Sequence, residues 1–134
     1  MDRIEQIKII AEQLIGKGNP NIVESAFAAD YIALAGEKTH RGHKFIKQFT
    51  KQVRTAIPDI KIVQIKILSQ SDDIVTWQRT LSGTHKADLR GVPASNKKIK
   101  WYEIVVSRFE KDKIIEEWLA SDLAFQLLLK LKGQ

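Results

Sequence analysis

The run Pro58-Asp59-Ile60-Lys61-Ile62-Val63-Gln64-Ile65-Lys66-Ile67-Leu68 decides the fold. Before Pro58, apolar residues recur at helical spacing. After it they recur at every second position, as on a half-buried strand. Ile60 and Ile62 share one parity, whereas Val63, Ile65 and Ile67 share the other. Strand side chains alternate between faces, so the change of phase marks a bulge or a strand buried on both sides.

Upstream, the apolar positions are helical. Ile4, Ile7, Ile10, Ala11 and Leu14 make one face of an amphipathic helix over residues 2–15, which Gly16 and Gly18 end. Asn19-Pro20 reads as an N-cap followed by a first-turn proline, with Ile22, Val23, Ala26 and Phe27 as the apolar face of a second helix. Asp30 to Leu34 is a short extended piece, and Gly36 to Gly42 a polar loop. Phe45, Ile46, Phe49, Val53 and Ala56 place a third helix over residues 43–56, which Pro58 stops.

Downstream, strands are predicted over 60–68, 74–82, 98–109 and 113–121. Turns at Ser71-Asp72-Asp73 and Glu110-Lys111-Asp112 join two of the pairs. Gly83 to Asn96 is a loop region, and Leu123 to Leu131 a final helix. Helices first and strands afterwards describe an α+β fold with an antiparallel sheet covered on one face. Bulges would curve that sheet around the N-terminal helices and leave a pocket between them.

Length and composition narrow the function. The 134 residues suit one domain, 43% of them hydrophobic and 28% charged, as in a globular protein. The absence of cysteine excludes disulfides, a thiol nucleophile and cysteine-based zinc sites. No apolar run approaches the ~20 residues of a membrane span, and no signal-peptide pattern opens the chain. A cytoplasmic protein without membrane contact is expected. The net charge of +6 comes from scattered lysines without aromatic interleaving, so nucleic acid is not the expected partner.

Several stretches together resemble a known family. They are Ala29-Asp30-Tyr31-Ile32, Arg41 to Phe49 running on to Ile60, and Gly83-Thr84-His85. Gly91 to Lys97, Trp101, and Arg108 to Trp118 with Asp122 complete the set. The chain is similar to the SnoaL-like polyketide (ester) cyclases of the nuclear-transport-factor-2-like superfamily. The resemblance implies a cone-shaped curved sheet enclosing an apolar pocket, usually in a homodimer. It also implies intramolecular aldol cyclisation of a hydrophobic small molecule, without metal or cofactor. The family's acid/base aspartate stands four residues after the strand tryptophan, a spacing that Trp118 and Asp122 match. Leu34 occupies a position where many members have histidine, and Gly91-Val92-Pro93-Ala94-Ser95-Asn96 replaces a Gly-Val-Pro-Pro-Thr-Gly loop. A non-catalytic binding or association module of the same fold is therefore the second reading.

An aldol cyclisation needs a base at the α-carbon and a donor for the enolate oxygen. On strand periodicity Asp122 shares a face with Ile114, Trp118 and Ala120, so it is either a pocket base or the cap of the helix that follows. Glu103 lies in phase with Trp101 and Val105: either it is paired, protonated or open to a cavity there, or Tyr102, Ile104 and Val106 form the core face and Glu103 is solvated. Arg79 can pair with it across the sheet or hold an anionic ligand. His85 is a further candidate proton donor or acceptor, in a Gly-Thr-His turn. Trp77, Trp101, Trp118 and Leu34 are the candidate pocket-wall residues. Three scattered histidines lack metal-ligand spacing, so no metal is expected. The outward parity Tyr102, Ile104 and Val106 would suit a partner sheet.

Overall fold

The computed structural model describes residues 2–133. Helix α1 (Arg3–Ala11) is capped by Asp2, whose side chain accepts from the Glu5 N–H, and runs on through a wide π turn at Glu12–Gly16. Helix α2 (Ile22–Ala26) is short and leads directly into strand β1 (Phe27–Ala35). Strand β2 (Lys38–Arg41), helix α3 (Gly42–Ala56) and strand β3 (Lys61–Gln70) follow. Strands β4 (Ile74–Thr84), β5 (Lys98–Glu110) and β6 (Lys113–Ser121) precede helix α4 (Leu123–Leu131).

The strands form one sheet in the order β2-β1-β6-β5-β4-β3. Every neighbour pair is antiparallel except β1 with β6, which run parallel. Periodicity alone predicts only a five-residue extended piece before the third helix and puts Phe27 on a helix. Instead β1 and β2 extend the sheet by two strands, with Phe27 opposite Ile114. The helical spacing that includes Phe27 gives way to its pairing and burial beside β6, and phenylalanine suits a strand well.

Strand β5 alternates buried positions with exposed or half-buried ones along its whole length, as a sheet with one covered face should. Its inward residues are Ile99, Trp101, Glu103, Val105, Ser107 and Phe109, and α1 and α3 pack on that side. The core has two parts. One gathers Ile7, Val23, Phe27, Trp77, Val105, Phe109 and Ile114, and the other gathers Ile57, Leu81, Ile99, Trp101, Leu123 and Leu127. Register shifts interrupt β3–β4, β1–β6 and β5–β6. Such bulges bend a sheet, and here they accompany its curvature around the helices. The phase change read in residues 60–68 corresponds to two shifts in β3, at Ile62/Gln64 and Ile67/Ser69. Among the described residues no helix is long and apolar enough to cross a membrane.

Candidate active site

The helices and the sheet enclose a cavity of about 680 Å³. Its wall is mainly apolar, with Leu14 and Ile10 from the first helical segment, Phe45 and Phe49 from α3, and Leu34, Val105 and Leu119 from the sheet. A cavity of this size suits a drug-sized ligand. Tyr31, Trp77, Arg79 and Glu117 bring polar atoms to this wall.

Glu117 is the centre of that polar group. A one-residue shift between Arg108 and Phe109 on β5 leaves Ile115 of β6 without a partner of its own. Arg108 pairs with Glu116, while Phe109 pairs with Ile114. The extra residue reverses the phase of everything after it. Ile114 faces inward, as do Glu117 and Leu119, while Trp118 faces outward. The Tyr31 hydroxyl donates to Glu117 Oε1 at 2.8 Å, and the Ser107 hydroxyl donates to Oε2 at 2.5 Å. Trp77 Nε1 donates to Ser107 Oγ at 3.0 Å and so orients that hydroxyl.

Burial pushes the Glu117 carboxyl above the usual carboxylate range. The hydrogen bonds from Ser107 and Tyr31 and the charge of Arg79 oppose that rise without cancelling it. The Tyr31 phenol is pushed up as well, first by burial and then by the neighbouring Glu117 charge. It therefore stays protonated and remains a donor. Each Glu117 oxygen receives one of these bonds and keeps a further lone pair for a proton.

Arg79 stands directly opposite Glu103, and its Nε donates to Glu103 Oε1 at 2.7 Å. Ser121 Oγ donates to the other oxygen at 2.7 Å. The pair is well buried, with Glu103 only 4% exposed, and the arginine balances a charge that could not remain there alone. The guanidinium lies 5.3 Å from the centre of the Trp77 ring. It offers five N–H donors, of which the bond to Glu103 uses one.

The expected site residues divide accordingly. Leu34, Trp77 and Arg79 line the cavity. Glu103 and Trp101 do not; they border a void of about 20 Å³ one layer further along the sheet, with Trp101 opposite Leu81 in the second part of the core. Asp122 also lies outside the cavity lining, which corrects the expectation of a pocket carboxylate. Its Oδ1 accepts from the Tyr102 N–H at 2.8 Å and its Oδ2 from Gln126 Nε2 at 3.2 Å. It holds the N-cap position of α4 without a side-chain capping bond to the helix backbone. Trp118, opposite Val106, is 38% exposed on the outer face rather than in the pocket wall. The cause in both cases is the bulge, since Ile114 and Trp118 do not share a face after it. His85 continues the inward parity of Trp77, Arg79, Leu81 and Gly83 beyond the end of β4. That carries it past the cavity, where it is fully buried and, among the described residues, neither ring nitrogen has a hydrogen-bond partner.

Glu117, Tyr31 and Ser107 belong to the site although periodicity alone does not single them out. Ser107 stands between Val105 and Phe109 on the inward parity of β5, a polar position in an apolar series. Glu117, Leu119 and Ser121 likewise share a parity, which would have been visible had Ile115 been recognised as a bulge.

The profile of the SnoaL-like polyketide cyclases matches residues 6–128. Solved structures share the fold. TsrD of Streptomyces laurentii superimposes with a TM-score of 0.82 at 17% identity, over 100% of this chain and 99% of its own. An Acidithiobacillus ferrooxidans protein provisionally described as a polyketide cyclase gives 0.81 at 21% identity, over 96% of this chain and 93% of its own. A SnoaL-like polyketide cyclase of Agrobacterium tumefaciens gives 0.78 at 16% identity, over 98% of this chain and 99% of its own. No curated protein matches the chain.

Proposed function

The chain belongs to the SnoaL-like polyketide cyclase family, and from that premise we propose that it is a cofactor-independent enzyme that transfers a proton at the α-carbon of a hydrophobic carbonyl compound held in the cavity. The observation that carries this reading is the Glu117 carboxyl, set in an apolar wall between two hydroxyl donors. A base works best when its pKa lies near the working pH, and burial moves Glu117 in that direction. Tyr31 and Ser107 fix the carboxylate and leave it one proton-accepting lone pair per oxygen. The unused N–H groups of Arg79 are the donors for the enolate oxygen that forms as the proton leaves. On a substrate with a second carbonyl, the enolate carbon attacks that carbonyl. One carbon–carbon bond forms, and Glu117 returns its proton to the new alkoxide, which is an intramolecular aldol closure.

The outer face of β5 and β6 supports the companion proposal of a homodimer. Tyr102 and Trp118 are 43% and 38% exposed there, beside Ile104 and Val106.

The test needs no natural substrate. A long-chain β-keto ester in D2O exchanges its α-proton, and proton NMR follows the loss. The protein should accelerate that exchange, and Glu117→Gln should slow it by about 100-fold or more, the usual contribution of a positioned base. A binding module of the same fold would bind the ester and leave its exchange at the buffer rate.

A further inference from the structure

We propose that the substrate is an amphipathic anion, its carboxylate or phosphate held at the cavity mouth by Lys38 and Arg90 and its apolar part lying inside. This inference rests on the reading of the cavity as the reaction chamber. Lys38 and His40 are two residues apart on β2, share a face, and both line the cavity. Arg90, from the loop between β4 and β5, lines it too. Lys38 and Arg90 are exposed, which places them at the rim, while Tyr31 and Trp77 are buried in the wall.

The charges at this cavity do not balance. Among the described residues its lining holds three permanent cations, Lys38, Arg79 and Arg90, against one acid, Glu117. Arg79 is already committed to Glu103. Among the described residues neither Lys38 nor Arg90 has a carboxylate at ion-pair distance. The neighbouring Glu37 and Asp88 are exposed and lie outside the lining. An anion at the rim would meet a cation without a carboxylate partner, from β2 or from the Leu89–Val92 turn, beside an interior that accepts its hydrocarbon.

Arg90 is also held in place. Leu89 and Val92 exchange backbone hydrogen bonds of 3.0 and 2.9 Å, and both are buried. Arg90 and Gly91 between them have φ values of 53° and 80°, the pattern of a two-residue turn with both central residues left-handed. Glycine accepts that conformation freely, but arginine does so only at an energetic cost. The turn sets the Arg90 guanidinium 5.6 Å from the centre of the Phe49 ring. Phe49 stacks on Phe45 at 5.8 Å, and Phe45 on His40 at 4.3 Å. An aromatic row along the wall thus begins and ends in basic side chains.

Binding of decanoate, decyl phosphate and 1-decanol, measured by calorimetry below their aggregation limits, tests the proposal. At low salt at least one anion should bind several-fold tighter than the alcohol, since each exposed ion pair contributes up to about five-fold. Added sodium chloride should shrink the advantage. The better anion identifies the head group as carboxylate or phosphate. Lys38→Ala/Arg90→Ala should bind that anion no tighter than 1-decanol. Lys38→Glu/Arg90→Glu should instead prefer decyltrimethylammonium. Equal affinity for all three probes, or an anion preference that survives in Lys38→Ala/Arg90→Ala, overturns the proposal. Glu117→Gln separates it from the catalytic reading. A preference kept without α-exchange isolates the mouth, and exchange without any preference isolates the base.

Discussion

Glu117 and Asp122 lie five residues apart, and the unpaired Ile115 decides which of them meets the cavity. Strict alternation from Ile114 would have carried Trp118 and Asp122 inward. The bulge brings Glu117 inward instead, and no local composition marks it, because Ile114 and Ile115 are equally apolar. Arg79 was more legible: its parity with Trp77 and its register with Glu103 follow from strand pairing alone. The raised pKa of Glu117 has a consequence for stability. Its folded value lies above 4.5, the ordinary carboxyl value that the unfolded chain retains. Between those two values the folded state holds the extra proton, so stability present below pH 4.5 is lost as pH rises through the folded pKa. Urea unfolding of wild type and Glu117→Gln across pH 4 to 8 should show this component in the wild type and not in the variant. Parallel curves would contradict the burial of the carboxyl.

At the scale of elements, periodicity located α1, α3, α4 and the four long strands to within a few residues. It failed at β1 and β2, where partner strands rather than local pattern create the structure. Asp30 and Lys38 to Arg41 are polar, and their extended form depends on β6 and on the turn at Gly36. Close approach of elements was equally hidden. Gly83 of β4 passes against the segment after α3, where an added Cβ would stand 2.3 Å from Ile57 Cγ2 and 3.2 Å from the Ile60 Cα. Both neighbours are buried, so neither can move aside easily. Gly83→Ala should destabilise the fold by about 1–3 kcal/mol, the usual cost of overpacking, measured by chemical unfolding. An unchanged midpoint would mean that this contact is loose.

For the whole molecule, the resemblance named the fold class and family because many weak stretches recur in one order along the chain. Three of the expected pocket residues do line the cavity, yet the proposed base did not emerge from the same sequence. A cavity wall is assembled from the register of several strands at once, and one shift moves a side chain to the other face. The outer face tests the assembly separately. If Tyr102 and Trp118 are covered by a second copy, sedimentation at micromolar concentration should give twice the chain's 15.3 kDa, and Trp118→Glu should return the monomer. A monomeric wild type would show that face to be free. The proposed proton transfer depends on Glu117 and not on Asp122. It is tested most directly by α-proton exchange of one β-keto ester with wild type, Glu117→Gln and Asp122→Asn under the same conditions. Glu117→Gln should exchange at a rate near the buffer value and Asp122→Asn at a rate near the wild-type value. Retained exchange in Glu117→Gln together with its loss in a folded Asp122→Asn would contradict it.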